Sequence, residues 1–321
     1  MGTIRKVLTV LAVLVVVIAV VIVAGLATGA LGAPSVEGID NRFGSVNETA
    51  TMIETNVTVD NPNPIGINLG GVSIDYGVSM NDVRMADGRK EGVSIGSGES
   101  TVSLRTRMNN TRIPEWWVSH VENGEQTTLA VDGTVSSSLL GQSAEIPPVE
   151  REISTDIDGA LDSNETRPIN ASQPLVSDPV LYLNETRGEW GEVNDSTTEI
   201  EMEFVVYNPK SYAVPVSELG YNMTMNGVPV GSGQSENTTT VEPGTTETIT
   251  TTTNMDNKKL DEWWVTHVEN NQVTELEIAF SARIDLSNAG VGGVEPVEVP
   301  LDTIEHEFET DVFGNKNESS S

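Results

Sequence analysis

Glu115-Trp116-Trp117-Val118-Ser119-His120-Val121-Glu122-Asn123 returns as Glu262-Trp263-Trp264-Val265-Thr266-His267-Val268-Glu269-Asn270. The copies lie 147 positions apart, differ only at Ser119/Thr266, and hold four of the chain's five tryptophans. A period this long marks a duplicated domain, because solenoids and propellers repeat every 20 to 50 residues or so. Ile113, Trp117 and Val121 are spaced i, i+4, i+8 as a helical stripe, and Pro114 suits a first helical turn. Gly124 and Asn271 follow the two copies, and both residue types tolerate the left-handed backbone that ends helices. One short helix per domain is expected. Trp117 and Trp264 continue the apolar stripe. Trp116 and Trp263 fall off it, and they are the candidate ligand or inter-domain contacts should they prove exposed.

Around the phrase, hydrophobicity alternates with period two, the mark of half-buried strands. Thr51, Ile53, Thr55, Val57 and Val59 face one way, as do Thr198, Ile200, Met202, Phe204 and Val206 at the same offset. Each strand stops at Asn-Pro, in Asn61-Pro62-Asn63-Pro64 and in Asn208-Pro209, since proline cannot donate to a ladder. Ile74, Tyr76, Val78 and Met80 match Leu219, Tyr221, Met223 and Met225. Turns are expected at Asn81-Asp82, Asn226-Gly227, Asp87-Gly88 and Ser232-Gly233. Val102, Leu104, Thr106 and Met108 form a further strand, whose counterpart from Ile249 to Met255 is nearly all threonine. After the helix, Leu129, Val131 and Val135 match Leu276, Ile278 and Ala282. Last strands are expected from Pro147-Pro148 to Ile157 and from Pro296-Val297 to Val312.

This pattern is mainly β: two tandem antiparallel β-sandwiches of immunoglobulin or fibronectin-III type, each with one short helix. The expected domains are 34–158 and 174–313, joined by a polar, aperiodic linker at 159–173 and followed by a disordered tail at 314–321. Ahead of them, Val7 to Ala33 carry no charge and follow Arg5-Lys6. About 20 apolar residues cross a bilayer core, so 1–33 is expected to be a transmembrane helix with the body extracytoplasmic. The competing reading is a signal peptide cleaved near Ala27–Ala33. The unbroken run from Val10 to Ala24 is longer than most such apolar cores and favours the retained anchor.

Acidic residues number 48 against 17 basic, a net charge of −31, with acid spread along the whole chain. Such a chain repels polyanions, so nucleic acid is excluded as a partner. Regular alternation argues against disorder, and the composition therefore suits a folded protein bathed in molar salt. Cysteine is absent. That removes thiol catalysis, iron–sulfur clusters and cysteine zinc sites.

No catalytic, cofactor or metal constellation emerges. His120 and His267 recur, but three histidines without cysteine make a poor zinc site. A histidine packed on tryptophan is the expectation for both. His306 falls where the first copy has Arg151, at the periphery. Asp156, Asp158, Asp162 and Glu165 form an acidic cluster without the ligand series of an EF-hand. Gly96-Ser97-Gly98 and Gly231-Ser232-Gly233 lack phosphate-loop context and are expected to be turns. Ten Asn-x-Ser/Thr sequons, at Asn47, Asn56, Asn109, Asn164, Asn170, Asn184, Asn194, Asn222, Asn237 and Asn317, are candidate glycosylation sites if the body is exported.

These residues resemble the late-embryogenesis-abundant type 2 proteins, which carry the water-stress and hypersensitive-response (WHy) domain. The resemblance rests on Asn61-Pro62-Asn63-Pro64 after an alternating strand, on the Tyr76 strand, the Asn81 turn and Gly88. Strand, helix, strand and a proline-preceded last strand follow. It covers roughly 34–158 and 174–313, and the second copy keeps only Asn208-Pro209 of the signature. It implies a small β-sandwich with one helix, no enzymatic chemistry, no cofactor, and a role in desiccation or osmotic stress. Tandem, membrane-anchored members with proposed lipid binding are known, and the composition looks like a haloarchaeal cell-surface member. A binding module for lipid or envelope proteins is the alternative function.

Overall fold

The computed structural model describes residues 34–68, 70–138, 141–173, 176–235, 238–287 and 295–316. The expected membrane anchor at 1–33 lies outside the described residues. Among those described, no helix is long and apolar enough to cross a membrane. The described chain falls into two compact units. The first takes residues up to Ser154 together with those from Thr310 onward, and the second is Thr155–Glu309.

The first unit contains β1 (Ser35–Asn47), β2 (Ala50–Asn61), β3 (Ile67–Asn68), β4 (Val72–Met80), β5 (Val83–Glu91), β6 (Ser94–Ile95) and β7 (Gly98–Asn109). Helix α1 (Ile113–Glu122) follows, then β8 (Gln126–Ser137) and β9 (Gln142–Ser154). The strands pair antiparallel in the order β1-β2-β7-β5-β4-β8-β9, with β3 and β6 as a separate ribbon. β5 and β7 share a single pair, Ala86 with Met108. The path is therefore two sheets, β1-β2-β7 and β5-β4-β8-β9, joined at one point. Alternation along β2 is nearly complete, with Thr51, Ile53, Thr55, Val57 and Val59 buried and the residues between them half-buried.

The second unit contains β10 (Arg167–Ile169), β11 (Leu181–Val193), β12 (Thr197–Tyr207), β13 (Val214–Met225), β14 (Val228–Ser235), β15 (Thr239–Val241) and β16 (Thr246–Asp256). Helix α2 (Leu260–Glu269), β17 (Val273–Ile284) and β18 (Val297–Glu309) complete it. Its sheets are β10-β11-β12-β16 and β14-β13-β17-β18, with β15 added beside β13. Phe204 of β12 meets Phe280 of β17 edge-on at 5.0 Å between ring centroids, so the two sheets share one core. The threonine-rich segment is the strand β16. Thr251 and Thr253 turn inward while Thr248, Thr250 and Thr252 face solvent.

Several expectations need correction. Both last strands end sooner than alternation implies, at Ser154 and Glu309. The 159–173 stretch is not a linker. Asp158–Leu161 forms a 3-10 turn, Leu161 and Ile169 are buried, and Arg167–Ile169 pairs with β11. Elements of three or four residues are too short to carry a period. The expected tail at 314–321 is ordered through Lys316, where Asn315 Nδ2 donates to the Asn41 carbonyl at 2.6 Å, and 317–321 lie outside the described residues.

Asn81-Asp82 and Asn226-Gly227 are two-residue hairpin turns as expected, with all four residues at positive φ. Asp87-Gly88 and Gly231-Ser232-Gly233 are not turns, because β5 and β14 run straight through them. Gly88 lies across from Tyr76, and Gly233 across from Tyr221. A Cβ would come within 2.0 Å of the Tyr76 ring and 2.8 Å of the Tyr221 ring. Glycine is there to admit a tyrosine. Each ring then reaches the other sheet. Tyr76 Oη bonds Thr106 Oγ1 at 2.7 Å, and Tyr221 Oη accepts the Asn254 N–H at 2.8 Å.

Candidate functional site

The repeated phrase folds as α1 and α2, and the tryptophan–threonine–histidine contacts around it recur in both copies. Trp117 and Trp264 are buried on the stripe, as expected. Trp116 and Trp263 are buried too, at 5% and 1% exposure, so the exposure that a ligand contact required is missing. Their indole Nε1–H groups donate to Thr127 Oγ1 and Thr274 Oγ1, each at 2.9 Å. The same hydroxyls lie 2.8 Å from His120 Nδ1 and 2.7 Å from His267 Nδ1. Each threonine oxygen accepts from tryptophan and can donate its own hydrogen to the imidazole Nδ1, an arrangement in which the neutral ring carries its proton on Nε2. The off-stripe tryptophans thus serve a buried Trp–Thr–His relay that pins helix to strand.

Burial shapes the electrostatics of this relay. His120 is pushed down to about 4, chiefly because its charged form would lose water; the Glu125 charge and a bond to the Gln126 backbone oppose the shift. Histidine packs on tryptophan as expected, with Trp116–His120 and Trp263–His267 centroids at 5.5 and 5.2 Å. A hydroxyl beside an imidazole is also how a nucleophile and base are set. Here Thr127 and Thr274 are fully buried, and each oxygen already accepts an indole hydrogen.

The Asn-Pro signature is likewise turned inward. Asn61 Nδ2 donates to the carbonyls of Ile65 and Gly96 at 3.1 and 2.7 Å, and Oδ1 accepts the Asn63 N–H. Asn208 donates to Tyr212 and Val241, both at 2.8 Å, and accepts the Lys210 N–H. The backbone bond to position 63 or 210 recurs, but Asn63 Nδ2 also donates to Asn61 Oδ1 at 2.6 Å, whereas Lys210 Nζ in the second copy turns to Ser177 instead. Two further asparagines repeat the device. Asn110 accepts from Thr51 and donates to the Asn47 carbonyl, while Asn257 accepts from Thr198 and donates to the Asn194 carbonyl. Asn81 and Asn226 each clasp the strand after the helix through one acceptor and one donor bond.

One partly buried ion pair stands in the second unit. Arg167 of β10 meets Asp302 of β18, whose side chain is 2% exposed. A register shift at Phe280/Ser281 turns both Leu301 and Asp302 inward. Burial raises the Asp302 carboxyl above its ordinary range, against the pull of the Arg167 charge.

The remaining candidates are at the surface. Asn47, Asn109, Asn164, Asn170, Asn194 and Asn222 are exposed, Asn56 and Asn184 are half-buried, and Asn237 and Asn317 lie outside the described residues. Within the acidic cluster, Asp158 accepts the Gly159 N–H and Asp162 the Gly188 N–H. No group of three or more metal-ligating side chains converges among the described residues. His306 is half-buried and stacks beside Phe308. Two open hollows are mainly polar. One of about 690 Å³ is lined by Arg187, Glu189, Glu203 and Thr250 among others, and one of about 520 Å³ by Gly71, Ser73, Arg89 and Ser137 among others. Among the described residues, Ile65 is the exposed large apolar side chain.

A duplicated β-protein with inward-facing signature residues and an acidic exterior is the class these observations define. The chain belongs to the late embryogenesis abundant protein family, type 2, whose profile matches residues 56–152 and 203–303. An uncharacterized protein of the archaeon Methanocaldococcus jannaschii is 30% identical over 129 residues, covering 39% of this chain and 73% of that protein. A crystal structure of a protein from Archaeoglobus fulgidus is 35% identical, covers 40% of this chain and 98% of that one, and has a TM-score of 0.37. A solution structure from Arabidopsis thaliana is 17% identical, covers 38% and 76%, and has a TM-score of 0.31.

Proposed function

We propose that this chain is a non-catalytic, membrane-anchored surface protein of the WHy kind, with two immunoglobulin- or fibronectin-like sandwiches that act in desiccation or osmotic stress. Family membership supports a stress-related role. The observation that carries the physical reading is the division between the two faces of β12 and β16. Ile200, Met202, Phe204, Ile249 and Met255 fill the core, while Glu199, Glu201 and Glu203 face outward across from Asn254, Thr252 and Thr250. Carboxylates and hydroxyls in register hold water and cations, and in a salt-rich medium they keep the folded chain solvated. The acidic composition fits a halophilic, extracytoplasmic setting.

Deleting the gene should lower survival after drying or salt shock, and the full-length chain should restore it. Unchanged survival would sink the proposal. A lipid-binding role draws less support, because among the described residues Ile65 alone is an exposed large apolar side chain. Pull-down of the body with lipidomics in high salt tests that alternative directly. Recovery of one lipid class at stoichiometric yield would replace the stress reading with a carrier reading.

A further inference from the structure

The segments that follow the two last strands share a sequence at an offset different from the main repeat. Thr155-Asp156-Ile157-Asp158-Gly159 follows β9, and Thr310-Asp311-Val312-Phe313-Gly314 follows β18, 155 positions on. Each segment is sorted into the unit that did not supply the strand before it. Thr155 onward belongs to the second unit, and Thr310 onward to the first.

Within the first unit, Val312 and Phe313 are buried, at 6% and 7% exposure. Phe313 packs on Phe43 of β1 with centroids 4.6 Å apart. Asn315 Nδ2 bonds the Asn41 carbonyl on the same strand. Asp311 lies 3.5 Å from Arg151 of β9, and the same carboxylate accepts the Asn315 N–H, which rounds the segment into a turn. Gly314 has φ +67°, and a Cβ there would come 1.5 Å from Arg151 Nη1. Apolar, ionic and backbone contacts therefore converge on seven residues at the far end of the sequence.

Within the second unit, residues just after the earlier segment reach the corresponding first strand. Leu161 fills the space over Gly188 of β11, where a Cβ would come 2.5 Å from it, and Asp162 bonds the Gly188 N–H. Asn41 lies across from Thr55 in β1–β2, as Gly188 lies across from Met202 in β11–β12. Both first strands thus meet residues that follow the shared sequence at one register position.

We propose that Thr310–Lys316 is an intramolecular peptide ligand of the first unit, docking on β1 and Arg151, and that Thr-Asp-Ile/Val-x-Gly is the docking sequence carried at the end of each repeat. The first unit is then complete only when residues 310–316 have been made and are intact. Trimming within 310–316 loosens it, whatever the protein's role.

The test compares the full chain with one ending at Lys316 and one ending at Glu309, by amide hydrogen exchange in high salt. The chain ending at Lys316 should behave as the full chain. The chain ending at Glu309 should lose at least tenfold protection along β1 and β9, with β11 and β12 unchanged. A synthetic peptide of residues 310–316 should restore protection in a saturable way, and the same peptide with Gly314→Ala should not. Phe313→Ala in the full chain supplies a milder perturbation with the same localisation. Unchanged exchange along β1 in the chain ending at Glu309, equal loss in both units, or no response to millimolar peptide would each overturn the proposal.

Discussion

Thr127 illustrates how a single hydroxyl can be the centre of a helix–strand junction. It accepts from Trp116 and faces His120 Nδ1, so Thr127→Val leaves two buried polar groups without it. An orphaned buried group costs about 1–3 kcal/mol, and the variant should lose roughly 2–4 kcal/mol in denaturant titration of the first unit. Thr127→Ser keeps the hydroxyl and should lose far less. The neighbouring histidine gives a pH prediction of definite sign. With a folded value near 4 against an ordinary 6.5, the unfolded chain binds the proton first. The contribution of His120 is therefore complete above pH 6.5 and is lost as pH falls towards 4, on the order of 3 kcal/mol in all. An NMR titration should show the His120 ring neutral down to about pH 4. Protonation near 6.5 would contradict the burial argument.

At the level of strands and helices, the glycines under the tyrosines make the sharpest test. Gly88→Ala forces a Cβ into the Tyr76 ring and should cost about 1–3 kcal/mol by overpacking. Gly124→Ala meets no atom and should cost less, through its positive φ alone. The Arg167–Asp302 bridge between β10 and β18 predicts a different pattern. Arg167→Met strands a buried carboxylate and should cost about 3–5 kcal/mol, whereas Arg167→Met with Asp302→Leu should recover most of it. Thermal unfolding of the three chains decides the point. Elements of this length were legible to the extent that they carry a period. β2, β12 and both helices announce themselves by spacing. The 3-10 turn at Asp158–Leu161 and the three-residue β10 cannot, being shorter than two turns of pattern. Gly88 passed for a turn because its cause, Tyr76, sits on the next strand rather than beside it in sequence. The relay had a signal that local spacing does not show: Thr127 and Thr274 stand eleven residues after Trp116 and Trp263 in both copies. The docking segments stayed hidden because their offset is 155, out of step with the 147 of the tryptophan phrase.

For the whole chain, the dominant physical fact is 48 acids against 17 bases. The ion pairs cannot offset that excess, and most, such as Arg42–Glu54 and Arg187–Glu203, are solvent-exposed links that contribute about 0–1 kcal/mol each. Self-repulsion should therefore destabilise both units at low ionic strength, and the melting midpoint should rise as chloride salt is added. Two mechanisms would raise it, and they differ in shape. Screening acts over a Debye length of about 10 Å at 0.1 M and 3 Å at 1 M, so its benefit should flatten by roughly molar salt. Strengthened apolar burial grows on past that point and is greater for sulfate than for chloride. A curve that rises steeply and saturates, alike for the two anions at equal ionic strength, assigns the stability to screening of the acidic surface. A linear rise with sulfate well ahead would assign it to the cores. A midpoint independent of salt would remove the argument for adaptation to a salt-rich medium, and with it the physical basis for a surface that holds water through its carboxylates.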